Sequence, residues 1–282
     1  MVQRKLACVA AGILVLFLTP ASAKEAVDLE LVMATDVSWS IDEAEAQLQR
    51  RGISDAFRSE EIVRAIQSGI LRRIAVAYLD YSSNDYNKVV ISWRIIHDRA
   101  SAEQFADDLL RAPLSSGRHT SISDAVQLAA YMIEDNNIDG TRRVIDVSGD
   151  GPNNWGWYVD DARDAVVSRG ITINGLPIMN PADAFNSRYY LADLDLYYRG
   201  CVIGGPGAFY LVANDFKDYA RAVRRKLVLE IAGAVPNDTD EPRATIFKAS
   251  APAHLRPSPS GYTYQRGCDI GERMRGFVND QP

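Results

Sequence analysis

The apolar run Leu29–Thr35 is the segment that most constrains how this 282-residue chain can fold. Its near-continuous hydrophobicity, broken only by Glu30, is typical of a strand buried on both faces of a parallel sheet. Ser40 and Glu43 follow with the Ser-x-x-Glu spacing of a capping box, which predicts that a helix begins here. A buried strand that turns directly into a helix predicts an α/β fold.

Polar side chains occupy alternate positions where this strand ends: Asp36, Ser38 and Ser40. In an open α/β sheet the carboxyl ends of the strands form the edge at which ligands bind. One carboxylate and two hydroxyls are oxygen donors, which suit a hard cation such as Mg²⁺ better than zinc. The alternative is a serine-rich turn in which the aspartate caps its own backbone. This short segment alone does not decide between the two.

Two later segments offer donors of the same kind in the same kind of place. Thr120 directly precedes the predicted helix Ile122–Asp135, and the predicted strand Arg143–Ser148 runs into the turn Asp150-Gly151. Parallel strands bring their carboxyl ends to one edge of the sheet. We therefore expect Asp36 and Asp150 to lie at the ends of two strands, with Thr120 on the loop between their elements.

An Asp-x-Ser-x-Ser motif completed by a distant Thr and a distant Asp-Gly resembles the metal-ion-dependent adhesion site of the von Willebrand factor type A superfamily. The resemblance covers Val27–Gly233. Residues 143–154 and 201–209 are similar to a narrower bacterial branch known only as a domain of unknown function. Two details depart from the superfamily pattern. The glycine before the threonine is one position further away, so Ser121 is an alternative to Thr120, and glycine rather than a hydroxyl residue precedes Asp150.

The resemblance implies one doubly wound α/β domain over residues 27–234. Its sheet would have six strands, mostly parallel, in the order 3-2-1-4-5-6, with one antiparallel edge strand and helices on both faces. The last predicted elements are strand Gly207–Ala213 and helix Asp215–Ile231, capped by Asn214. An insertion, Pro177–Pro206, follows the carboxyl end of the fifth strand, so we expect it on the metal face.

Both ends of the chain are predicted to lie outside that domain. Residues 1–23 have the pattern of a secretory signal peptide, with Arg4 and Lys5, the apolar stretch Leu6–Leu18 and small residues ending at Ala23. The stretch is too short to span a bilayer comfortably, and no membrane span is expected after cleavage. The product should therefore be exported, either periplasmic or secreted. Residues 235–282 are rich in Pro and Ser and lack periodicity, which predicts a tail.

Charge and cysteine content narrow the possible partners. The formal net charge is −6, and it becomes more negative when residues 1–23 are removed. This argues against nucleic acid or an anionic membrane surface as the main partner. Cleavage leaves Cys201 and Cys268, and an even pair in an exported chain predicts a disulfide. The bond would pin the segment Gly267–Arg275 back onto the domain.

The donor set predicts capture of a partner rather than catalysis. The carboxylates of Asp36 and Asp150 balance the charge of Mg²⁺, while Ser38, Ser40 and Thr120 supply neutral oxygens. Mg²⁺ takes about six ligands, so positions left to water can accept an Asp or Glu of a protein partner. Mn²⁺ and Ca²⁺ accept the same oxygen donors. We therefore expect a metal-dependent protein-binding module, which agrees with the adhesion role that the resemblance implies.

Two other functions are considered. Asp36 could act as the nucleophile of a Mg²⁺-dependent hydrolase or phosphatase, but Ser38 stands where such enzymes place a second acid. The sequence also lacks Gly-x-Ser-x-Gly, His-Glu-x-x-His and phosphate-loop motifs, so we expect no catalytic residues. Carbohydrate binding is a third hypothesis, although the tyrosines of residues 189–198 suit local packing better than a sugar platform.

Three tryptophans lie within a few residues of the predicted ligands. Trp39 and Trp155 are candidates for an aromatic rim around the metal, because tryptophan is enriched at binding hot spots. The alternative is that both pack beneath the tyrosine-rich insertion. We expect that packing role for Trp157.

Overall fold

The strand predicted from Leu29–Thr35 lies at the centre of the sheet. In a computed structural model, β1 (Glu25–Asp36) pairs in parallel with β2 (Ile74–Tyr81) on one side and β4 (Ile138–Gly149) on the other. β3 (Lys88–Ile96) runs antiparallel beyond β2, and β5 (Thr172–Pro177) runs parallel beyond β4. The order β3-β2-β1-β4-β5 and the antiparallel edge strand confirm the predicted fold class.

The structure describes residues 23–83, 86–181, 184, 189–234 and 262–279, with the backbone alone for 277–279. The predicted signal peptide, apart from Ala23, lies outside the described residues. So do residues 84–85 between β2 and β3, parts of the insertion, and residues 235–261 and 280–282 of the predicted tail.

The sixth predicted strand, Gly207–Ala213, lies beside β5 but is irregular. Isolated parallel bridges join Tyr210 to Gly175 of β5 and Ala213 to Ile178, just beyond β5. The side chain of Asn174 in β5 also accepts a hydrogen bond from the backbone N–H of Phe209 at 3.0 Å. The segment therefore occupies the expected sixth position without the continuous pairing of a strand.

Helices cover both faces of the sheet. One face carries α1 (Glu43–Arg58), α2 (Glu60–Gln67), α3 (Arg99–Arg111) and α7 (Tyr219–Ala232). The other carries α4 (Ile122–Glu134), α5 (Val159–Val167), α6 (Leu194–Tyr197), a π-helical turn (Tyr198–Val202) and α8 (Ile270–Asn279). β1 supplies both cores alternately, with Leu31 and Met33 in one and Val32 and Ala34 in the other. None of the helices in the described part of the chain is long and apolar enough to cross a bilayer.

The helix after β1 begins later than predicted. Asp42 is its N-cap, and its carboxylate accepts a hydrogen bond from Glu45 N at 2.8 Å while Glu45 Oε2 accepts one from Asp42 N at 3.0 Å. The capping box predicted from Ser40 and Glu43 was therefore wrong. Because Asp42 performs the capping, the hydroxyl of Ser40 is available for another contact.

Two other helix boundaries also differ from expectation. α7 begins at Tyr219 with Asp218 at its N-cap, so the predicted cap at Asn214 was wrong. The amide of Asn214 instead donates to the Asp218 carboxylate at 2.9 Å. α2 was not expected from the sequence. It follows α1 at once because Ser59 ends α1 and caps α2.

A buried ion cluster fixes α7 to the sheet. Lys226 Nζ lies 2.5 Å from Asp146 Oδ1 of β4 and 2.5 Å from Glu230 Oε1 of α7, and all three side chains are buried. Asn174 of β5 donates to the same Glu230 oxygen at 2.8 Å. Burial, followed by the nearby charge of Asp146, raises the pKa of Glu230 to about 7. The cluster has two carboxylates for one ammonium, so it favours holding a proton.

Residues 262–279 fold back onto the domain, as expected for the segment Gly267–Arg275. Cys201 and Cys268 are joined, with Cα atoms 5.5 Å apart, as predicted. The buried guanidinium of Arg163 donates to the carbonyls of Gly200 and Cys201 at 2.9 and 3.0 Å, which fixes the turn that carries the first cysteine. The cysteines are separated by 67 positions in the sequence, and closing this loop contributes about 4 kcal/mol on the chain-entropy account.

The stability of the protein should fall as the pH rises from about 4.5 to about 7, in part because of Glu230. The folded-state pKa of Glu230 is raised from 4.5, so the folded chain binds an extra proton in this range and that stabilisation is lost as the pH rises through 7. Glu230→Gln should flatten this part of the profile and be the more stable form near pH 8. Urea unfolding at several pH values measures the effect.

The matched control is Glu103→Gln, the same chemical change on the exposed surface of α3. This control should leave the pH profile unchanged. A Glu230→Gln profile that superimposes on the wild-type profile would contradict the role assigned to the cluster.

Candidate functional site

The predicted donors Asp36, Ser38, Ser40 and Asp150 come together at the carboxyl edge of the sheet. β1 and β4 pair in register up to Thr35 and Ser148, which places Asp36 and Asp150 at neighbouring strand ends. The Ser40 hydroxyl donates to Asp150 Oδ1 at 2.8 Å, and Ser38 Oγ lies 3.2 Å from Ser40 Oγ. The backbone N–H of Ser38 donates to Asp36 Oδ1 at 2.8 Å.

The carboxylate of Asp36 is incompletely satisfied. It is fully buried, and its Oδ2 atom has no hydrogen-bond partner among the described residues. Burial, then the charge of Asp150, raises the pKa of Asp36 well above its usual range, although Ser38 acts in the opposite direction. Buried polar atoms nearly always have partners. A buried, unpaired carboxylate oxygen beside a second carboxylate therefore fits a site for a cation.

The loop between α3 and α4 (residues 112–121), here called the threonine loop, places Thr120 at this site and turns Ser121 away from it. Asn154 holds the Thr120 backbone from both sides, accepting from Thr120 N at 3.0 Å and donating its own N–H to Thr120 O at 2.8 Å. A Cβ atom at Gly151 would lie 3.9 Å from Thr120 Oγ1, so this hydroxyl faces the Asp-Gly turn. Ser121 caps α4, and its hydroxyl donates to Asp124 at 2.7 Å.

Gly149, one of the two departures from the superfamily pattern, has a steric reason. A Cβ atom at this position would lie 2.9 Å from Asp36 Oδ2 and 2.7 Å from the hydroxyl of Tyr81. The Tyr81 hydroxyl itself donates to the carbonyl of Ser148 at 3.1 Å. Asp36 therefore fits against β4 only because residue 149 has no side chain.

Hydrogen bonds join the loops that carry the donors. Gly117 N donates to Val37 O at 2.8 Å, which links the threonine loop to the loop after β1. The loop after β2 contributes Ser82, whose carbonyl accepts from Ser121 N at 2.8 Å and whose hydroxyl donates to His119 O at 2.6 Å. The donors are thus carried by loops that are fixed to one another before any ligand binds.

Asn153 is a site residue that the sequence analysis did not single out. It is fully buried, and its Oδ1 atom accepts from Ser123 N of α4 at 3.0 Å. Its Nδ2 atom donates to the carbonyl of Trp157 at 2.9 Å and to Glu272 of α8 at 2.7 Å. Asn153 therefore connects the loop after Asp150 to two helices. The Pro-Asn-Asn run after the Asp-Gly turn was the only sequence signal for it.

The three tryptophans occupy different environments. Trp39 is 76% exposed beside the donors. Trp155 is stacked on His119, with ring centroids 4.3 Å apart and planes 11° from parallel. The prediction that Trp157 packs beneath the insertion was wrong, because this side chain is 67% exposed. The chain turns at Gly156, whose φ is +83°, between the two loop tryptophans.

A groove of about 690 Å³ lies beside the donors. Its walls come from the loops after β1 and β2, the threonine loop and the loop after β4: Trp39, Ser83, Tyr86, Ser116, Gly117, Arg118, His119 and Trp155. Trp39 and Trp155, the predicted rim residues, thus line the same depression.

The candidate site differs in composition from a site made only of acids, histidines and cysteines. Within the described residues, no group of three or more His, Cys, Asp or Glu could hold a metal. The two carboxylates here are supplemented by hydroxyls, and a cation such as Mg²⁺ commonly completes such a set with water. The oxygen donors of this set are of the kind that hard cations prefer.

The fold is that of the von Willebrand factor type A-like domains. The pilus adhesin SpaC from Lactobacillus rhamnosus GG, in its open conformation, matches with a TM-score of 0.52 and 15% identity over 74% of this chain and 31% of that one. Proximal thread matrix protein 1 from the mussel byssus, with a zinc-occupied MIDAS motif, matches with a TM-score of 0.51 and 14% identity over 74% and 49%. This chain therefore spans less than half the length of either protein.

The chain belongs to the family described as protein of unknown function (DUF1194), whose model matches residues 26–235. A comparison with curated proteins gives no match.

In the metal-free protein, Asp36→Asn should stabilise the fold near neutral pH. The substitution removes the charge that burial and Asp150 disfavour, and we expect a gain of roughly 1–3 kcal/mol, several degrees in Tm for a domain of this size. The raised pKa of Asp36 means that the gain should shrink as the pH falls and the wild-type carboxyl takes up its proton. Thermal unfolding in chelator measures both effects, and a variant less stable than wild type at neutral pH would contradict the electrostatic account.

Proposed function

We propose that this protein is an exported, metal-dependent protein-binding module that captures an Asp or Glu of a partner. One divalent cation would be held at the carboxyl edge of the sheet by Asp36, Ser38, Ser40, Thr120 and Asp150. The observation that supports this most directly is the buried, unpartnered Oδ2 atom of Asp36 beside a second carboxylate.

Mg²⁺ is the proposed cation, with Mn²⁺ and Ca²⁺ as alternatives. Two carboxylates neutralise a divalent charge, and the remaining hydroxyl donors match the oxygen preference of all three ions. Zinc occupies the MIDAS motif of the mussel thread protein, so zinc belongs in any binding comparison.

The proposed residues divide into a metal site and a contact surface. The Ser40 hydroxyl orients Asp150 through its 2.8 Å hydrogen bond, and Asn154 positions Thr120. When bound, the cation supplies an electrophilic contact for an incoming carboxylate. That exchange of water for carboxylate adds little affinity, so the aromatic side chains of Trp39 and Trp155 would supply most of the apolar contact.

Binding is favoured over hydrolysis by the surroundings of Asp36. A nucleophilic carboxylate must reach its substrate, whereas this side chain is fully buried. Ser38 occupies the position at which a second acid would serve as proton donor, and its hydroxyl lies against Ser40. These contacts support a role for both residues in holding a cation.

Export is proposed from two independent features. Residues 1–23 have the basic, apolar and small-residue pattern of a signal peptide. The chain also carries the disulfide between Cys201 and Cys268, and such bonds persist mainly in oxidising compartments.

Removing one carboxylate ligand should strongly weaken cation binding. Asp150→Asn should weaken the binding of Mg²⁺ and Mn²⁺ by about 100-fold or more, because even outer-shell changes at metal sites cost 10- to 100-fold. Calorimetric titration measures the affinity. The control Asp161→Asn removes an exposed carboxylate from α5 and should bind as wild type does. Unchanged binding in Asp150→Asn would refute the metal assignment.

Partner capture should depend on both the metal and the rim. Affinity capture from an extract of exported proteins should yield a partner in Mg²⁺ that is lost in chelator and in Ser38→Ala. Trp155→Ala should lower affinity at least about 30-fold if it is a hot spot, whereas Tyr131→Ala, which removes another exposed aromatic side chain, should have no effect.

Two results would point elsewhere. Capture that survives both chelator and Asp150→Asn would mean that the binding surface lies away from the metal. Metal-dependent turnover of a phosphoester that is lost in Asp36→Asn would identify an enzyme instead.

A further inference from the structure

We propose that α8 and the threonine loop give the binding face a preference for acidic segments. Arg275 and Arg118 would receive a second carboxylate of the partner, next to the one captured at the metal site. This inference rests on the proposed function and adds to it the chemical class of the partner.

Helix α8 packs against the loop that follows Asp150. Gly271 of α8 lies against the carbonyl oxygen of Asn153 so closely that a side chain at residue 271 would overlap it. One residue further, Glu272 accepts a hydrogen bond from Asn153 Nδ2 at 2.7 Å. The disulfide of Cys268 anchors the start of the same segment. α8 is therefore held at the site by a covalent bond, a hydrogen bond and close packing.

Helix α8 places the guanidinium of Arg275 on the aromatic ring of Trp155. The Cζ atom of Arg275 lies 4.7 Å from the ring centroid of Trp155, and His119 is stacked on that ring. Stacking fixes the plane of a guanidinium but leaves its N–H donors free to bind at the edge. The stack therefore presents a fixed cation beside the groove.

The guanidinium groups of Arg118 and Arg275 are both available to a ligand. Arg118 is exposed and lines the groove. Within the described part of the chain, neither Arg118 nor Arg275 forms an ion pair, whereas Arg266 and Arg273 pair with Asp193 and Asp269. Glu272, the carboxylate near Arg275, accepts a hydrogen bond from Asn153 through Oε1, and the charge of Arg275 acts on it without an ion-pair contact. Two available guanidinium groups thus lie beside the candidate metal site of a chain with a net charge of −6.

The position of the groove joins these cations to the metal site. Trp39 lies between Ser38 and Ser40 in sequence, and His119 directly precedes Thr120, so the groove walls are direct neighbours of the donors. A segment that places one carboxylate at the metal would pass along this groove. Guanidinium groups match the geometry of carboxylates in paired hydrogen bonds. A partner with further acidic residues near its metal-binding residue therefore complements the surface.

The expected contribution of each arginine is modest and dependent on salt. Ion pairs at an exposed rim are screened by solvent, so losing one should weaken binding by about 1.5- to 5-fold. Such charges act chiefly on specificity and on the association rate. Raising the ionic strength should therefore reduce the preference for the second acid, because exposed charge pairs are screened.

A peptide selection tests the proposal while the natural partner is still unidentified. A library of random seven-residue peptides is panned on the mature protein in Mg²⁺ and, in parallel, in chelator. Wild-type protein should enrich peptides with two or more acidic residues, in Mg²⁺ only. The double variant Arg118→Gln/Arg275→Gln should still enrich peptides in Mg²⁺. For this variant, however, a single acidic residue in the peptide should be sufficient for enrichment.

Single variants provide the matched control. For a selected peptide with two acids, Arg275→Gln should lower affinity about 1.5- to 5-fold, measured by fluorescence anisotropy. Arg273→Gln makes the same change on α8 at an arginine already paired with Asp269 and should leave affinity unchanged.

The outcomes separate the two levels of the proposal. Wild-type selection of peptides with one acid, or an undiminished preference for two acids in the double variant, would overturn the role of the arginines and leave the metal-binding module intact. Equal losses of peptide affinity in Arg275→Gln and Arg273→Gln would also overturn the role of the arginines. Absence of any Mg²⁺-dependent selection by wild-type protein would overturn the proposed function and this inference together.

Discussion

The closeness of Asp36 and Asp150 is the constraint on which the site depends. Asp36 is the last residue of β1 and Asp150 directly follows β4, and these two strands are paired up to Thr35 and Ser148. The repulsion between the two acids is tolerated because the Ser38 N–H holds one carboxylate and the Ser40 hydroxyl holds the other. Gly149 provides the space between strand and carboxylate. The sheet therefore keeps two acids together, and the surrounding loops are arranged around that charge.

Features that depend on local pattern could be predicted from the sequence. The apolar run Leu29–Thr35 identified the central strand, and strand ends located the donors because parallel strands share an edge. The capping box failed because Ser40 and Asp42 can each cap a helix, and local sequence does not choose between them. The Ser40 hydroxyl instead contacts Asp150, 110 residues away, and no local pattern contains that contact.

The aromatic rim shows that contacts between distant segments are equally difficult to predict from the sequence. A composition rich in Pro and Ser predicted a tail after residue 234, pinned to the domain only through Cys268. The disulfide was predicted, but the contact between Trp155 and Arg275 also depends on the fit of Gly271 against Asn153, which is a tertiary feature. Trp157 was wrongly expected to be buried, because its exposure depends on how the chain turns at Gly156.

The ion cluster beneath α7 limits how the domain can move. In the interior, the ammonium of Lys226 contacts the carboxylates of Asp146 and Glu230 instead of water. Breaking a buried pair costs about 3–5 kcal/mol. Sliding α7 by one turn would separate Lys226 from Asp146, so any displacement of this helix along the sheet has to break that buried pair. The cluster thereby sets an energetic cost on movement of α7 relative to β4.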